Sequence, residues 1–106
     1  MAIERLEQLL EIHRSSEPDP FVLYGIALEY HKKEAFSEAE SFFKQLLDLF
    51  PDYLPTYYQY GKMLSDLGSD QAAVKVLQAG SELARVQKDL KTKGELDLLI
   101  WELDED

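Results

Sequence analysis

Apolar residues recur three and four positions apart in six segments of this chain, with short polar turns between them, which is helical spacing. Ile3, Leu6, Leu9, Leu10 and His13 make one face of a short helix over 3–13, and Glu4, Glu7 and Glu11 the other. Ser15-Ser16-Glu17-Pro18-Asp19-Pro20 breaks it and reads as a hinge of six residues. Asp19 is a candidate N-cap with Pro20 at the first helical position, so a helix is expected from Pro20 to about Lys33. Ser37-x-x-Glu40 has capping-box spacing and predicts the opening of the next helix, which Pro51 stops near Phe50.

Pro55 opens another helix to about Leu67, with Gly68 in the C-terminal cap position. The helix from about Asp70 carries Val74, Val76, Leu77, Leu83 and Val86. It has Arg85 where Pro51 ended its counterpart, so it is expected to run on to Val86 or Lys88. A last helix starts at Leu90 or Lys93, because both Asp89 and Thr92 could cap it, and reaches Leu103. Leu96, Leu99, Ile100 and Leu103 form a stripe on it that must find cover. Asp104-Glu105-Asp106 reads as a frayed acidic tail.

A longer period overlies these segments. Leu23-x-x-Ile26-Ala27-x-x-Tyr30, Phe36-x-x-Ala39-x-x-x-Phe43 and Pro51 are followed 34 positions later by Tyr57-x-x-Tyr60-Gly61-x-x-Leu64, Gly68 and Ala73-x-x-x-Leu77. Two antiparallel helices admit only small side chains where they approach most closely, which suits Ala27, Gly61, Ala39 and Ala73. The bulky members fill the surrounding grooves. By the same register Tyr30 and Tyr60 are core residues.

This set resembles the tetratricopeptide repeat family over about residues 20–87. It departs from the family pattern in four places. Phe21-Val22-Leu23 lacks the usual first aromatic, Glu34 replaces a frequent turn glycine, Gly80 replaces an alanine, and the second repeat has no terminal proline. Glu7-Gln8-Leu9-Leu10-Glu11-Ile12 echoes Lys44-Gln45-Leu46-Leu47-Asp48-Leu49, so the first helix reads as a half-repeat. The layout is similar to that of short bacterial tetratricopeptide proteins. The resemblance implies an all-α fold, a right-handed superhelix of stacked helical hairpins with about six helices. It also implies a single domain over 1–106, comprising the half-repeat, repeats at 20–53 and 54–87, and a capping helix at 90–103.

Composition narrows the role. A formal net charge of −10, from 21 acidic and 11 basic residues, repels nucleic acid and anionic lipid headgroups. Such a charge keeps a small domain soluble, and a basic partner surface is the sharper reading. No apolar run reaches 18 residues and acidic residues interrupt the N-terminus, so a cytoplasmic protein is expected, with no membrane association.

Chemistry finds little footing. There is no cysteine, which removes disulfides and thiolate nucleophiles. His13 and His31 have no ligand set at metal-site spacing beyond a weak His31–Glu34 pair, so His13 reads as structural and His31 as a surface residue. The five glycines are scattered, unlike a phosphate loop. Glu38, Glu40, Asp48 and Asp52 read as solvated helix faces rather than a catalytic pair. Lys88, Lys91 and Lys93 read as cations favouring a helix C-terminus. Neither catalysis nor a cofactor or metal is expected.

In the resembled family the first helix of each pair lines a concave groove. Carried across, that face is Phe21, Tyr24, Leu28, His31 and Lys32 in one repeat, and Pro55, Tyr58, Lys62, Ser65 and Asp66 in the other. The matching Tyr24 and Tyr58 are expected side by side. A lysine–asparagine carboxylate clamp is not expected, since the relevant places hold Tyr24, Leu28 and Gln59 and the chain has no asparagine. The expected role is a protein-interaction adaptor that takes a peptide or helix on this groove. The alternative is a homo-oligomeric structural protein, its groove covered by its own last helix, with Leu96 and Trp101 as the self-association contacts.

Overall fold

Proline and aspartate set the helix starts much as the pattern predicts. The structure is a computed structural model and describes residues 4–104. It contains α1 (Arg5–Ser15), α2 (Pro20–Lys32), α3 (Phe36–Leu49), α4 (Pro55–Asp66), α5 (Asp70–Gln87) and α6 (Leu90–Asp104). All regular structure among the described residues is helical, an all-α helical repeat fold. Ile3, assigned above to the first helix, and Glu105 and Asp106 of the acidic tail lie outside the described residues.

Local chemistry accounts for most boundaries, with three corrections. The Asp19 carboxylate accepts from Phe21 N at 2.8 Å and Val22 N at 3.3 Å, capping α2 as expected. Ser15 belongs to α1 rather than to the hinge, which opens at Ser16. The Ser15 and Ser16 hydroxyls donate back to Glu11 O at 2.8 Å and Ile12 O at 2.6 Å. The Ser37–Glu40 capping box does not form either, since α3 begins at Phe36 with Ala35 as its uncapped N-terminal neighbour. The connection from α2 is too tight to leave Ser37 outside the helix. The start of α6 resolves in favour of Asp89, which accepts from Thr92 N at 3.1 Å and from the Thr92 hydroxyl at 2.8 Å. Thr92 is thereby inside α6. Lys91 and Lys93 lie in its first turns, where a cation opposes the helix dipole, so they do not support a C-terminus as expected.

Three helices end in the same way. Ala35 N donates to Tyr30 O and Glu34 N to His31 O, both at 2.9 Å. Ser69 N donates to Leu64 O and Gly68 N to Ser65 O, at 2.8 and 2.9 Å. Asp89 N donates to Ala84 O and Lys88 N to Arg85 O, at 2.9 and 3.1 Å. Each is a Schellman cap with a left-handed residue at its centre, at φ 60° for Glu34, 85° for Gly68 and 62° for Lys88. The left-handed conformation costs a non-glycine residue roughly 1–2 kcal/mol. Glu34→Gly, which restores the residue found at the equivalent Gly68, is therefore expected to stabilise the protein by about 1 kcal/mol. Urea unfolding followed by circular dichroism checks this, and an unchanged or lowered midpoint refutes it.

By their contacts the residues divide into two compact units, Met1–Tyr53 and Leu54–Asp106. In the first, α2 and α3 form a hairpin around Leu23, Ile26, Phe43 and Leu46, and Ala27 and Ala39 are fully buried. Helix α1 packs on α2, where Gly25 lets Leu9 approach so closely that a Cβ there would lie 3.0 Å from Leu9 Cδ1. Glu29, mostly buried, takes Arg5 of α1 at 3.7 Å and Lys32 at 3.3 Å. Such partly exposed pairs contribute under about 1 kcal/mol each, so Arg5–Glu29 tunes how α1 lies more than it holds it, while Lys32–Glu29 stays within α2. Tyr30, expected in the core, is only half-buried and stacks on Phe42 with ring centroids 5.8 Å apart.

The second unit pairs α4 with α5 and lays α6 along α5. Tyr60, Met63, Leu64, Ala73 and Leu77 are buried, and Leu96 anchors the stripe of α6 with no exposure at all. The Ser81 hydroxyl donates to Asp97 at 2.6 Å, and Lys93 reaches the other carboxylate oxygen at 2.7 Å. These two hydrogen bonds, Lys93 foremost and Ser81 next, hold the Asp97 carboxyl below the usual carboxylate range.

Candidate peptide-binding faces

On α2 the capped first turn fixes the direction of Phe21, whose ring stays 73% exposed. Tyr53, in the turn after α3, packs edge-on against it. Its ring meets Phe21 edge-on at 5.6 Å and Tyr24 edge-on at 5.5 Å, and its backbone N–H donates to Phe50 O at 3.0 Å. Burial, and then the charge of Asp19, push the Tyr53 phenol above its ordinary pKa. It therefore stays protonated and able to donate near neutral pH. Leu28 and His31 continue the same side of α2, both half-buried, and His31 meets Phe36 edge-on at 5.6 Å.

On α4 the equivalent face carries Tyr58 and Ser65, half-buried, with an exposed Lys62 between them. Thus Phe21, Tyr24, Leu28 and His31 gather on one helix of the first unit, and Tyr58, Lys62 and Ser65 on one helix of the second. Tyr53 and Phe36 were missed from sequence. Tyr53 lies in a non-helical turn, outside any 3.6-residue register. The one available signal was its aromatic ring directly after the Pro51-Asp52 stop.

His13 packs edge-on against Phe42, with centroids 6.0 Å apart. Among the described residues no three His, Asp or Glu side chains converge as metal ligands, and no helix is long and apolar enough to cross a membrane.

The same hairpin arrangement occurs in known proteins. A tetratricopeptide repeat family model matches residues 22–53 and 54–87, meeting at the boundary between the two units. The solution structure of a tetratricopeptide repeat domain protein from Salinibacter ruber is 31% identical, with a TM-score of 0.80 over 84% of this chain and 90% of that one. A crystal structure of a Salinibacter ruber tetratricopeptide repeat domain protein is 32% identical, with a TM-score of 0.76 over 82% and 97% of the respective chains. A Bordetella parapertussis protein solved in solution shares the fold at 20% identity, with a TM-score of 0.83 over 96% of this chain and 89% of its own. No curated protein matches the chain.

Proposed function

The chain belongs to the tetratricopeptide repeat family, and on that premise we propose that it is an adaptor for a peptide or helix of a protein partner, with the α2 face of the first unit and the α4 face of the second each offering a contact surface. Repeats of this family are generally protein–protein interaction modules, and the fold is typically a non-enzymatic scaffold. The observation that carries the reading is Phe21. A large aromatic residue left 73% exposed, with its ring edge-on to Tyr53, offers an apolar contact surface beside a second aromatic ring. On α2, Tyr24 adds a phenol ring and His31 a polar edge; on α4, Tyr58 adds a ring and Lys62 and Ser65 the polar groups.

The occupant favoured by this chemistry is apolar or amphipathic, with basic rather than acidic flanks given the net charge of −10. Aromatic anchors of this kind contribute more than about 1 kcal/mol each when truncated. A partner recovered by pull-down and reduced to its binding peptide should bind a Tyr24→Ala, Tyr58→Ala double variant at least about tenfold more weakly by calorimetry. Equal affinity of wild type and a folded double variant would remove these faces from the binding site.

A further inference from the structure

Helix α6 has two apolar sides, and only one is covered. Leu96 is fully buried, with Leu99, Ile100 and Leu103 half-buried beside it. Leu90, Leu98 and Trp101 are instead 75%, 56% and 63% exposed. At about 100° per residue these three and Gly94 fall within an arc of roughly 80°, a second stripe along the helix. Gly94 has no internal reason to be glycine, because a Cβ there would meet nothing within 4 Å and its φ is not left-handed. Mid-helix glycine costs about 1 kcal/mol against alanine.

Beyond the Asp89 cap, charge along α6 runs against its own dipole. Lys91 and Lys93 lie at its start, just after Lys88, and Glu102 and Asp104 lie at its end. A single helix is destabilised by that polarity, whereas an antiparallel copy is complemented by it.

We infer that the exposed stripe of α6 docks a second copy of this chain through an antiparallel, two-fold α6–α6 contact. Two-fold symmetry makes residue i face residue j and j face i. In the register that centres the contact near position 96, Leu98 of one copy seats over Gly94 of the other, and Leu90 lies beside Trp101. The same register brings Lys91 opposite Glu102 and places Lys88, in the turn before α6, at the end of the contact that carries Asp104. The bare Gly94 becomes the hole for the Leu98 knob, and the reversed charges become cross-pairs. A helix of 15 residues is only about 22 Å long, so the contact falls below the standard interface size. The net charge of −10 on each copy opposes it further. The dimer is therefore weak, half-formed at roughly tens to hundreds of micromolar.

Sedimentation equilibrium of the full chain at about 0.15 M salt tests this. Wild-type mass is expected to rise from 12.2 kDa towards twice that value with concentration, while emission from Trp101, the single tryptophan, shifts to the blue. Leu98→Glu, at an exposed position, should stay monomeric and folded. A Lys88→Glu, Lys91→Glu variant and a Glu102→Lys, Asp104→Lys variant should each dimerise less than wild type, yet associate with one another when mixed. Wild type remaining at 12.2 kDa up to about 1 mM overturns the inference. So does a dimer indifferent to Leu98→Glu, or a mixture of the two charge variants that fails to associate. The inference is independent of the α2 and α4 faces, since the Tyr24→Ala, Tyr58→Ala variant should dimerise as wild type does.

Discussion

Phe43→Ala is expected to lower the unfolding free energy by about 3–5 kcal/mol. Phe43 is 1% exposed and is the largest fully buried side chain, on the face of α3 that packs against α2 beside Leu23, Ile26 and Leu46. Removing the ring forfeits its transfer from water and leaves a cavity that rigid neighbours close only partly. Against a typical total of about 5–15 kcal/mol, that is a large share. Urea unfolding monitored at 222 nm, the helical band, with Phe43→Leu as the volume-sparing control, measures it. A loss under about 1 kcal/mol would show that the α2–α3 core does not carry the fold.

The second large effect concerns two glycines for which the same substitution should have opposite signs. The family pattern has alanine where this chain has Gly80, so Gly80→Ala resembles a harmless restoration. A Cβ there would lie 2.5 Å from Tyr57 Cβ and 3.3 Å from Leu96 Cδ1. Tyr57 Cβ is tied to the backbone of α4 and cannot swing away, so α5 must shift from α4, α6 or both. Overpacking of this kind costs about 1–3 kcal/mol, occasionally more, and exceeds the gain of about 1 kcal/mol in helix propensity. Gly94→Ala meets no neighbour and keeps the whole propensity gain. Thermal unfolding at low concentration should therefore show Gly80→Ala lowered and Gly94→Ala raised, each by several degrees. Two shifts of the same sign would contradict the packing described for α4, α5 and α6.

These glycines mark how far a sequence can be read. Gly61 and Gly80 look alike as helix-interior glycines, and periodicity alone places both near a helix contact. At Gly61 the family register already required a small residue, and the structure puts Leu77 there, 2.5 Å from a Cβ. At Gly80 the requirement comes from two other helices, and only their packing reveals it. The ends of α2 and α5 repeat the lesson. Gly68 advertises a left-handed cap, but Glu34 and Lys88 adopt the same conformation without glycine, each closing the same pair of cap hydrogen bonds. Ser37 carried a capping-box signal that this tight turn overrode.

The faces divide similarly. Tyr24, Leu28 and His31, like Tyr58, Lys62 and Ser65, share a helix face by spacing along the chain, and the family resemblance is what implies that these faces line a groove. Tyr53 has no such register, since its role depends on a turn returning its ring to α2. Leu96, which the sequence pattern pairs with Trp101 as a self-association contact, is wholly buried against its own unit, and Leu90 and Leu98 accompany Trp101 instead. The stripe itself was legible, but not which of two apolar sides of α6 would face inwards.

By itself, then, the sequence determined the helices, the hairpin repeat and the family, because a 3.6-residue period and a spacing of 34 are properties of the chain. Tertiary structure decided which glycines are crowded, which side of α6 is left bare and which turn residue packs against the exposed ring of Phe21. Those outcomes depend on distances between residues far apart in sequence, which no local pattern encodes.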